Sequence, residues 1–390
     1  MKVLQGVNVP IKSWCNNIEE GALNQASNLS ALPFVYKHVA LMPDAHQGYG
    51  MPIGGVIATK GVVIPNAVGV DIGCGMCAAK TNTKDIDVDT IKKIMSDIRL
   101  AVPVGHKHHS EEHRDWMPQP INNYDRHLQL PRIDAEFKSA CRQVGTLGGG
   151  NHFIEIQKGD DGFIWVMVHS GSRNLGYKVA NYHNKVAKEM SEKWYTSVPE
   201  KHDLAFLPID SNEGQEYLDE MNYCLEFAQC NREAIMNIIG EIMWKHIGLL
   251  KFEDPVNIHH NYARMEHHFG ENVMVHRKGA TAARYGLKGI IPGSQGASSY
   301  IVIGRGNEES FMSCSHGAGR KMGRKQAQRE LSLENEIKIL EDKGVIHSIR
   351  GVNDLDEASG AYKDIEVVMD EQKDLIEILV KLEPLAVIKG

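Results

Sequence analysis

Between residues 33 and 83 the chain alternates short apolar runs with glycine and proline: Phe34-Val35-Tyr36, Val56-Ile57-Ala58, Gly61-Val62-Val63-Ile64-Pro65 and Cys77-Ala78-Ala79. Runs this short, closed by turn residues, predict buried strands joined by tight loops. Residues 87 to 99 have a helical pattern, and residues 105 to 120 read as a polar, histidine-rich loop. From Gly145 to Ser172 strands and glycine turns return, with Phe153-Ile154-Glu155-Ile156 and Phe163-Ile164-Trp165-Val166-Met167-Val168 as the strands. From about Tyr177 to Leu250 the glycines thin out. Leu218, Met221 and Leu225, then Ile235, Ile238, Ile239 and Ile242, have the spacing of one helix face. Strands resume near Val273-Met274-Val275 and at Ser299-Tyr300-Ile301-Val302-Ile303, and helices are predicted at about 332 to 343 and 364 to 381. No linker or repeat divides the chain. The expected fold is mixed α/β: one large domain over residues 1–390, with a strand-rich core and a mainly helical insertion at about 177–250.

Composition narrows the picture. The chain has 390 residues, 42% hydrophobic and 24% charged, an ordinary globular balance. Its formal net charge of -7 excludes a protein that coats nucleic acid non-specifically, so any such partner must meet a local basic patch. No apolar run reaches the ~18 residues of a membrane-spanning helix, and Met1 to Gly6 shows no apolar leader. Seven scattered cysteines suit the reducing cytoplasm better than a disulfide framework. Two counts are high: 19 histidines and 37 glycines. That pairing suggests metal ligands held on tight turns, or phosphate held on backbone N–H groups.

Four short motifs carry metal-binding chemistry. Val70-Asp71-Ile72-Gly73-Cys74-Gly75 places a carboxylate and a thiol three apart on a glycine turn. Gly148-Gly149-Gly150-Asn151-His152-Phe153-Ile154-Glu155 opens a strand, Val168-His169-Ser170-Gly171-Ser172-Arg173 closes one, and Asn257-Ile258-His259-His260-Asn261 is the fourth. Taken singly, each histidine or cysteine reads better as a satisfied core residue. Four together favour a divalent ion such as Mn²⁺, Zn²⁺ or Co²⁺, which accepts mixed Asp, Cys and His ligation. The loop His106-Lys107-His108-His109 with His113 lies among charges and prolines and reads as solvated.

The most informative stretch is Ser313-Cys314-Ser315-His316-Gly317-Ala318-Gly319-Arg320. A histidine followed by Gly-Ala-Gly exposes its imidazole beside approachable backbone N–H groups, a phosphate cradle. Arg320, Lys321, Arg324 and Lys325 follow, predicted on the first turns of a helix, where phosphate is favoured. Lys278 and Arg173 are further phosphate candidates. No GxxxxGK[ST] loop is present. Lys158-Gly159-Asp160-Asp161-Gly162 reads as a hairpin turn rather than a lysine nucleotidyl-transferase motif. Any nucleotide chemistry would then need a residue other than lysine, and a neutral histidine is a competent nucleophile.

With these segments in order, the chain resembles the RtcB-type RNA-splicing ligases along nearly its whole length. The matching stretches are Met42-Pro43-Asp44-Ala45-His46-Gln47-Gly48, Gly69 to Gly75, Gly145 to Phe153, His169 to Arg173, His260-Asn261, Ile291-Pro292-Gly293-Ser294, His316 to Arg320, Ala361-Tyr362-Lys363-Asp364 and Lys389-Gly390. The resemblance implies a GTP-dependent RNA ligase with two Mn²⁺ ions. Asp71, Cys74 and His152 would hold one ion, and Cys74, His169 and His260 the other. His316 matches the nucleophile and Asp44 the carboxylate that orients it. Asn151, Glu155, Asn261, Ser294, Ala318, Gly319, Tyr362 and Lys389 match GMP-binding positions. Arg173, Lys278, Arg320 and Arg324 would hold RNA phosphates. The implied substrates are RNA 3′-phosphate or 2′,3′-cyclic phosphate ends and 5′-hydroxyl ends, in RNA repair or tRNA splicing. Two rivals are a dinuclear phosphodiesterase, which leaves His316 and Lys389 without a task, and a non-catalytic RNA binder, which would not need the ligand set.

Overall fold

The structure, a computed structural model, describes residues 1–119, 125–193 and 198–390. Two mainly antiparallel sheets organise it. The first has six strands in the order Lys2–Leu4, Ile11–Ser13, Val35–His46, Ile53–Thr59, Glu271–Lys278, Asn261–His268. The second has seven, in the order Phe252–His259, Gly75–Thr81, Ile164–Ser170, Phe153–Gly159, Ile376–Lys389, Ser299–Gly304, Lys288–Ile291. They share an apolar cluster in which Val56 and Val275 of the first meet Ile291, Tyr300 and Val302 of the second. Phe252–His259 and Asn261–His268 are consecutive in sequence yet lie in different sheets, and His260 is the single residue between them.

The helices Val88–Ala101 and Asn212–Ile247 cover one face of the second sheet. Ile91, Ile94, Ile98, Ile235, Ile239 and Met243 pack on Ile154, Ile156, Val166 and Val168. Each such side chain contributes roughly 1.5–3 kcal/mol on burial, enough to fix where the helix sits. The first helix starts where Asp87 accepts a hydrogen bond from the Thr90 amide, and the second where Ser211 accepts one from Gly214. Among the described residues, no helix is long and apolar enough to cross a membrane.

The predicted mixed α/β class is the one observed, and the 159–162 turn joins two paired strands. Three local expectations change. The helix expected at 364–381 stops at Asp370, and Ile376–Lys389 is a strand. Its Ile, Val and Leu content suits either state locally; pairing with strands on both sides decides it. The helical section begins at Arg173, not Tyr177, and contains a short strand at Leu207–Pro208. Arg320 and Lys321 precede the helix Arg324–Glu330 instead of lying on it, because Arg320 forms a bridge to Tyr362. The strands flanking His260 were not foreseen: alternating His, Asn and charged residues hide their period.

Candidate metal and nucleotide site

The ligand candidates sit on strand ends. Cys74 immediately precedes the strand Gly75–Thr81, on a turn closed by a 3.1 Å hydrogen bond from its amide to the Asp71 carbonyl. His169 is the next-to-last residue of its strand, His152 precedes Phe153–Gly159, and His260 links the two sheets. Antiparallel pairing sets Phe153 opposite His169 and Met76 opposite His169 on the other side, so three strand ends converge.

The converging atoms form a continuous set. Cys74 Sγ lies 3.4 Å from His152 Nε2 and 3.3 Å from His169 Nε2. His152 Nε2 is 3.2 Å from Asp71 Oδ2, and His169 Nε2 is 3.4 Å from His260 Nε2. The other ring nitrogens of two histidines are committed. His152 Nδ1 donates to the Leu147 carbonyl at 3.0 Å and His169 Nδ1 to that of Asn151 at 3.0 Å. Each ring therefore turns its Nε2 inward, and with Nδ1 as the donor a neutral ring offers there the lone pair a metal needs. Burial, reinforced by the neighbouring histidines, holds His169 and His260 well below the ordinary imidazole range, so both are neutral donors. Burial also raises the Cys74 thiol well above its usual value, with Asp71 adding to the effect; a cation here would displace that proton. The donor set fits a borderline divalent ion, and Cys74, His152 and His169 lie close enough together that they could hold one.

His316 faces the same centre. It follows the short strand Ser313–Ser315, which pairs with Ala280–Ala282, and its ring is 4.8 Å from that of His260. The buried Asp44 carboxylate receives three hydrogen bonds through one oxygen: His316 Nδ1 at 2.6 Å, the His316 amide at 3.0 Å and the Gly317 amide at 3.3 Å. Backbone and ring are thus locked together, and Nε2 points into a cleft. Gly319 has φ +72°, and any Cβ there would run into the Asp44 backbone, so this close approach requires glycine. Gly148 (φ +96°) is constrained in the same way by the guanidinium of Arg173 and the ring of His152.

The cleft beside His316 opens to solvent, and the empty volume out to its mouth is about 790 Å³. Of the expected nucleotide residues, Asn151, Glu155, Ser294, Ala318, Gly319, Tyr362 and Lys389 line it, together with Arg320 and Arg324. Lys389 gets there on a central strand of the sheet, in register opposite Phe153. Burial pushes the Glu155 carboxyl up to about 8 against the pull of Lys389 and Gln157. Burial likewise lowers Lys389, opposed by Glu357 and Glu155.

Three expected residues lie elsewhere. Asn261 spends its side chain on the Asp71 carbonyl (3.1 Å) and the Gly279 amide (2.8 Å), bracing the metal turn. Lys278 is buried, donates to the carbonyls of Tyr49 and Asn66 and is not among the residues lining the cleft. Arg173 is held beside the glycine loop through Thr146 Oγ1 (3.1 Å) and the Gly105 carbonyl (2.9 Å). Sequence reasoning missed Glu357, which lines the cleft, pairs with Arg320 (3.0 Å) and Arg324 (2.8 Å) and accepts from the Tyr362 hydroxyl. It belongs to no motif; only its place on the 352–357 turn brings it there.

A carboxylate-oriented histidine, a cleft lined by arginines and a glycine turn, and an adjoining thiol–imidazole cluster together equip a protein for covalent phosphate chemistry next to a metal. A family model described as "tRNA-splicing ligase RtcB" matches residues 25–390. The chain is 38% identical to the RNA-splicing ligase RtcB of Escherichia coli K12, across 100% of this chain and 99% of that one. It is 33% identical to the tRNA-splicing ligase RtcB of Archaeoglobus fulgidus, with 96% and 92% covered, and 32% identical to that of Thermococcus kodakarensis, with 95% and 92% covered. The chain belongs to the RtcB family of RNA-splicing ligases.

Proposed function

We propose that this protein joins RNA ends using GTP and Mn²⁺, with His316 as a covalent nucleophile. The observation that carries the reading is the Asp44–His316 pair at 2.6 Å, beside a cleft lined by Asn151, Glu155, Arg320 and Lys389. Asp44 holds the Nδ1 proton, so Nε2 keeps the lone pair needed to attack the α-phosphorus of GTP, and pyrophosphate leaves. The guanylyl group then passes to an RNA 3′-phosphate, a 2′,3′-cyclic phosphate having first been opened by water. A 5′-hydroxyl attacks the activated end, the RNA–RNA bond forms and GMP departs. Two Mn²⁺ ions, one held by Asp71, Cys74 and His152 and the other by Cys74, His169 and His260, would polarise phosphoryl oxygens and offset developing charge.

Within this scheme Asn151, Ser294, Ala318, Gly319, Tyr362 and Lys389 bind GMP, and Arg173, Arg320 and Arg324 hold phosphates, supplying affinity and not sequence. Asn261 and Lys278 act indirectly, by bracing backbone. Residues 1–390 work as one catalytic unit, since the cleft draws on residues from His46 to Lys389. All seven cysteines are free thiols, which supports a cytoplasmic setting. The direct test is incubation with radiolabelled GTP and Mn²⁺. A covalent label that is acid-labile and base-stable is expected; its absence in metal-loaded protein overturns the histidine chemistry.

Glu155 is the acceptor we assign to the guanine amino and imino groups. A donor left unpaired in a buried site costs about 1–3 kcal/mol, so ATP should label the protein much more weakly than GTP. Glu155→Ala should narrow that gap, and equal wild-type labelling by the two nucleotides would remove the assignment. Burial pushes that carboxyl up to about 8, and ligand N–H donors favour its ionised form. Nucleotide binding then costs a proton below that value, and GTP affinity should fall as the pH drops from 8 to 6.

A further inference from the structure

The long helix Asn212–Ile247 carries two adjacent, fully buried polar residues, Asn231 and Arg232, for which the chemistry above has no use. Arg232 forms no ion pair among the described residues. Its Nη1 donates to the carbonyls of Gly73 (3.0 Å) and Ser170 (3.0 Å), its Nε to Asn257 Oδ1 (2.7 Å), and its Nη2 lies 3.2 Å from His259 Nδ1. Gly73, Ser170 and His259 are the immediate sequence neighbours of Cys74, His169 and His260. One planar guanidinium therefore ties together three backbone segments that come from different strand ends and deliver one complete ligand trio.

Asn231 serves the other half. Its Oδ1 accepts from the amides of Gly145 (2.8 Å) and Thr146 (3.2 Å), and its Nδ2 donates to Ser170 Oγ (3.0 Å) and the Gly171 carbonyl (3.1 Å). Ser170 Oγ in turn donates at 2.7 Å to the Leu147 carbonyl, the same oxygen that receives His152 Nδ1. The relay runs from Asn231 through Ser170 and Leu147 to the ring orientation of His152. An ordinary buried arginine is expected to face a carboxylate, because an unpaired buried charge is costly. Retaining this one without a directly paired carboxylate among the described residues, Asp71 and Glu233 acting on it only at longer range, makes sense if its fixed fork of donors is what matters.

We propose that Arg232 and Asn231 are positioning residues for the metal centre. Arg232 sets the spacing of the Cys74–His169–His260 trio, and Asn231 sets the orientation of His152. The inference rests on the two-ion reading given above. Outer hydrogen-bond partners of metal ligands typically change affinity by about 10–100-fold when removed, and a shift of that size is expected here. Lysine cannot bridge three acceptors from one planar group. Arg232→Lys should therefore weaken one of two Mn²⁺ ions, the one that His260→Ala also weakens. Asn231→Ala should weaken the ion that His152→Ala weakens. Asn257→Ala, which removes one anchor of the guanidinium and leaves Arg232 itself in place, should give a smaller loss of the Arg232 kind.

The measurement is Mn²⁺ titration of full-length protein by calorimetry, with bound metal counted by elemental analysis and folding followed by thermal unfolding in chelator. Arg277→Lys serves as control. That arginine is equally buried but is paired with Glu266 at 2.6 Å in the other sheet, so it should lower thermal stability and leave both Mn²⁺ affinities alone. Unchanged affinities in folded Arg232→Lys, Asn231→Ala and Asn257→Ala would overturn the proposal. So would equal weakening of both ions in every variant including the control. Wild type that binds no Mn²⁺ would sink the two-ion reading and this inference with it. Wild type with two ions and insensitive variants would sink the positioning role alone.

Discussion

His316→Ala is expected to abolish both guanylylation and RNA joining, by roughly 10⁴-fold or more, as removal of a covalent nucleophile does. The same variant should still join RNA whose 3′ end already carries the activated guanylate, in Mn²⁺ and without GTP. The last step needs the metal centre and RNA contacts but no nucleophilic imidazole, and covalent catalysis makes the steps separable. The bond to Asp44 makes this sharp. Because Asp44 takes both backbone amides as well as the ring, the alanine variant keeps two of the three hydrogen bonds and the turn should stay in place. If His316 only bound phosphate or metal, every step would weaken by a similar factor and pre-activated RNA would give no rescue. Lack of joined product with metal content intact would count against the nucleophile.

Cys74→Ala is expected to remove both Mn²⁺ ions and, with them, joining. Its sulfur lies in contact with the Nε2 of both His152 and His169, and those two histidines belong to different ion sites in the proposed arrangement. His152→Ala should weaken mainly one ion. Elemental analysis should read two ions per chain in wild type, none after Cys74→Ala and an intermediate value after His152→Ala. Two ions retained in Cys74→Ala would show that the sulfur is not shared. The cysteine is also well placed to be lost without collapse of the fold. It lies on a turn before its strand, and the apolar clusters of the second sheet are built from other residues.

Much of the strand-rich core was legible in the sequence, because apolar runs such as Val56-Ile57-Ala58 and Phe163 to Val168 are too short for helices and are closed by glycine or proline. The helices at 88–101 and 333–342 were legible too, since each is one amphipathic stripe on a local period. The motifs around Asp71-Cys74, His152, His169, His260 and His316 announced themselves as glycine turns carrying metal-binding or nucleophilic side chains. The structure gathers all of them at one place.

What tertiary structure alone decided has a common cause: it depends on pairing across distance. Ile376–Lys389 has local apolar content compatible with a helix, and became a strand because partners flank it on both sides. Lys278 and Arg173 look alike in sequence, as basic residues next to glycine motifs. Only the fold buries the amine of one against carbonyls and sets the guanidinium of the other beside the His152 loop. Glu357 belongs to no motif, and Arg232 appears in sequence as a charged residue on a helix. Glu357 reaches Arg324, 33 residues away, and Arg232 reaches Gly73, 159 residues away, and no local pattern records contacts of that range. Residue types and turns, then, set which chemistry this chain can perform; the crossing of two sheets at His260, clamped from a distant helix, decides where it is assembled.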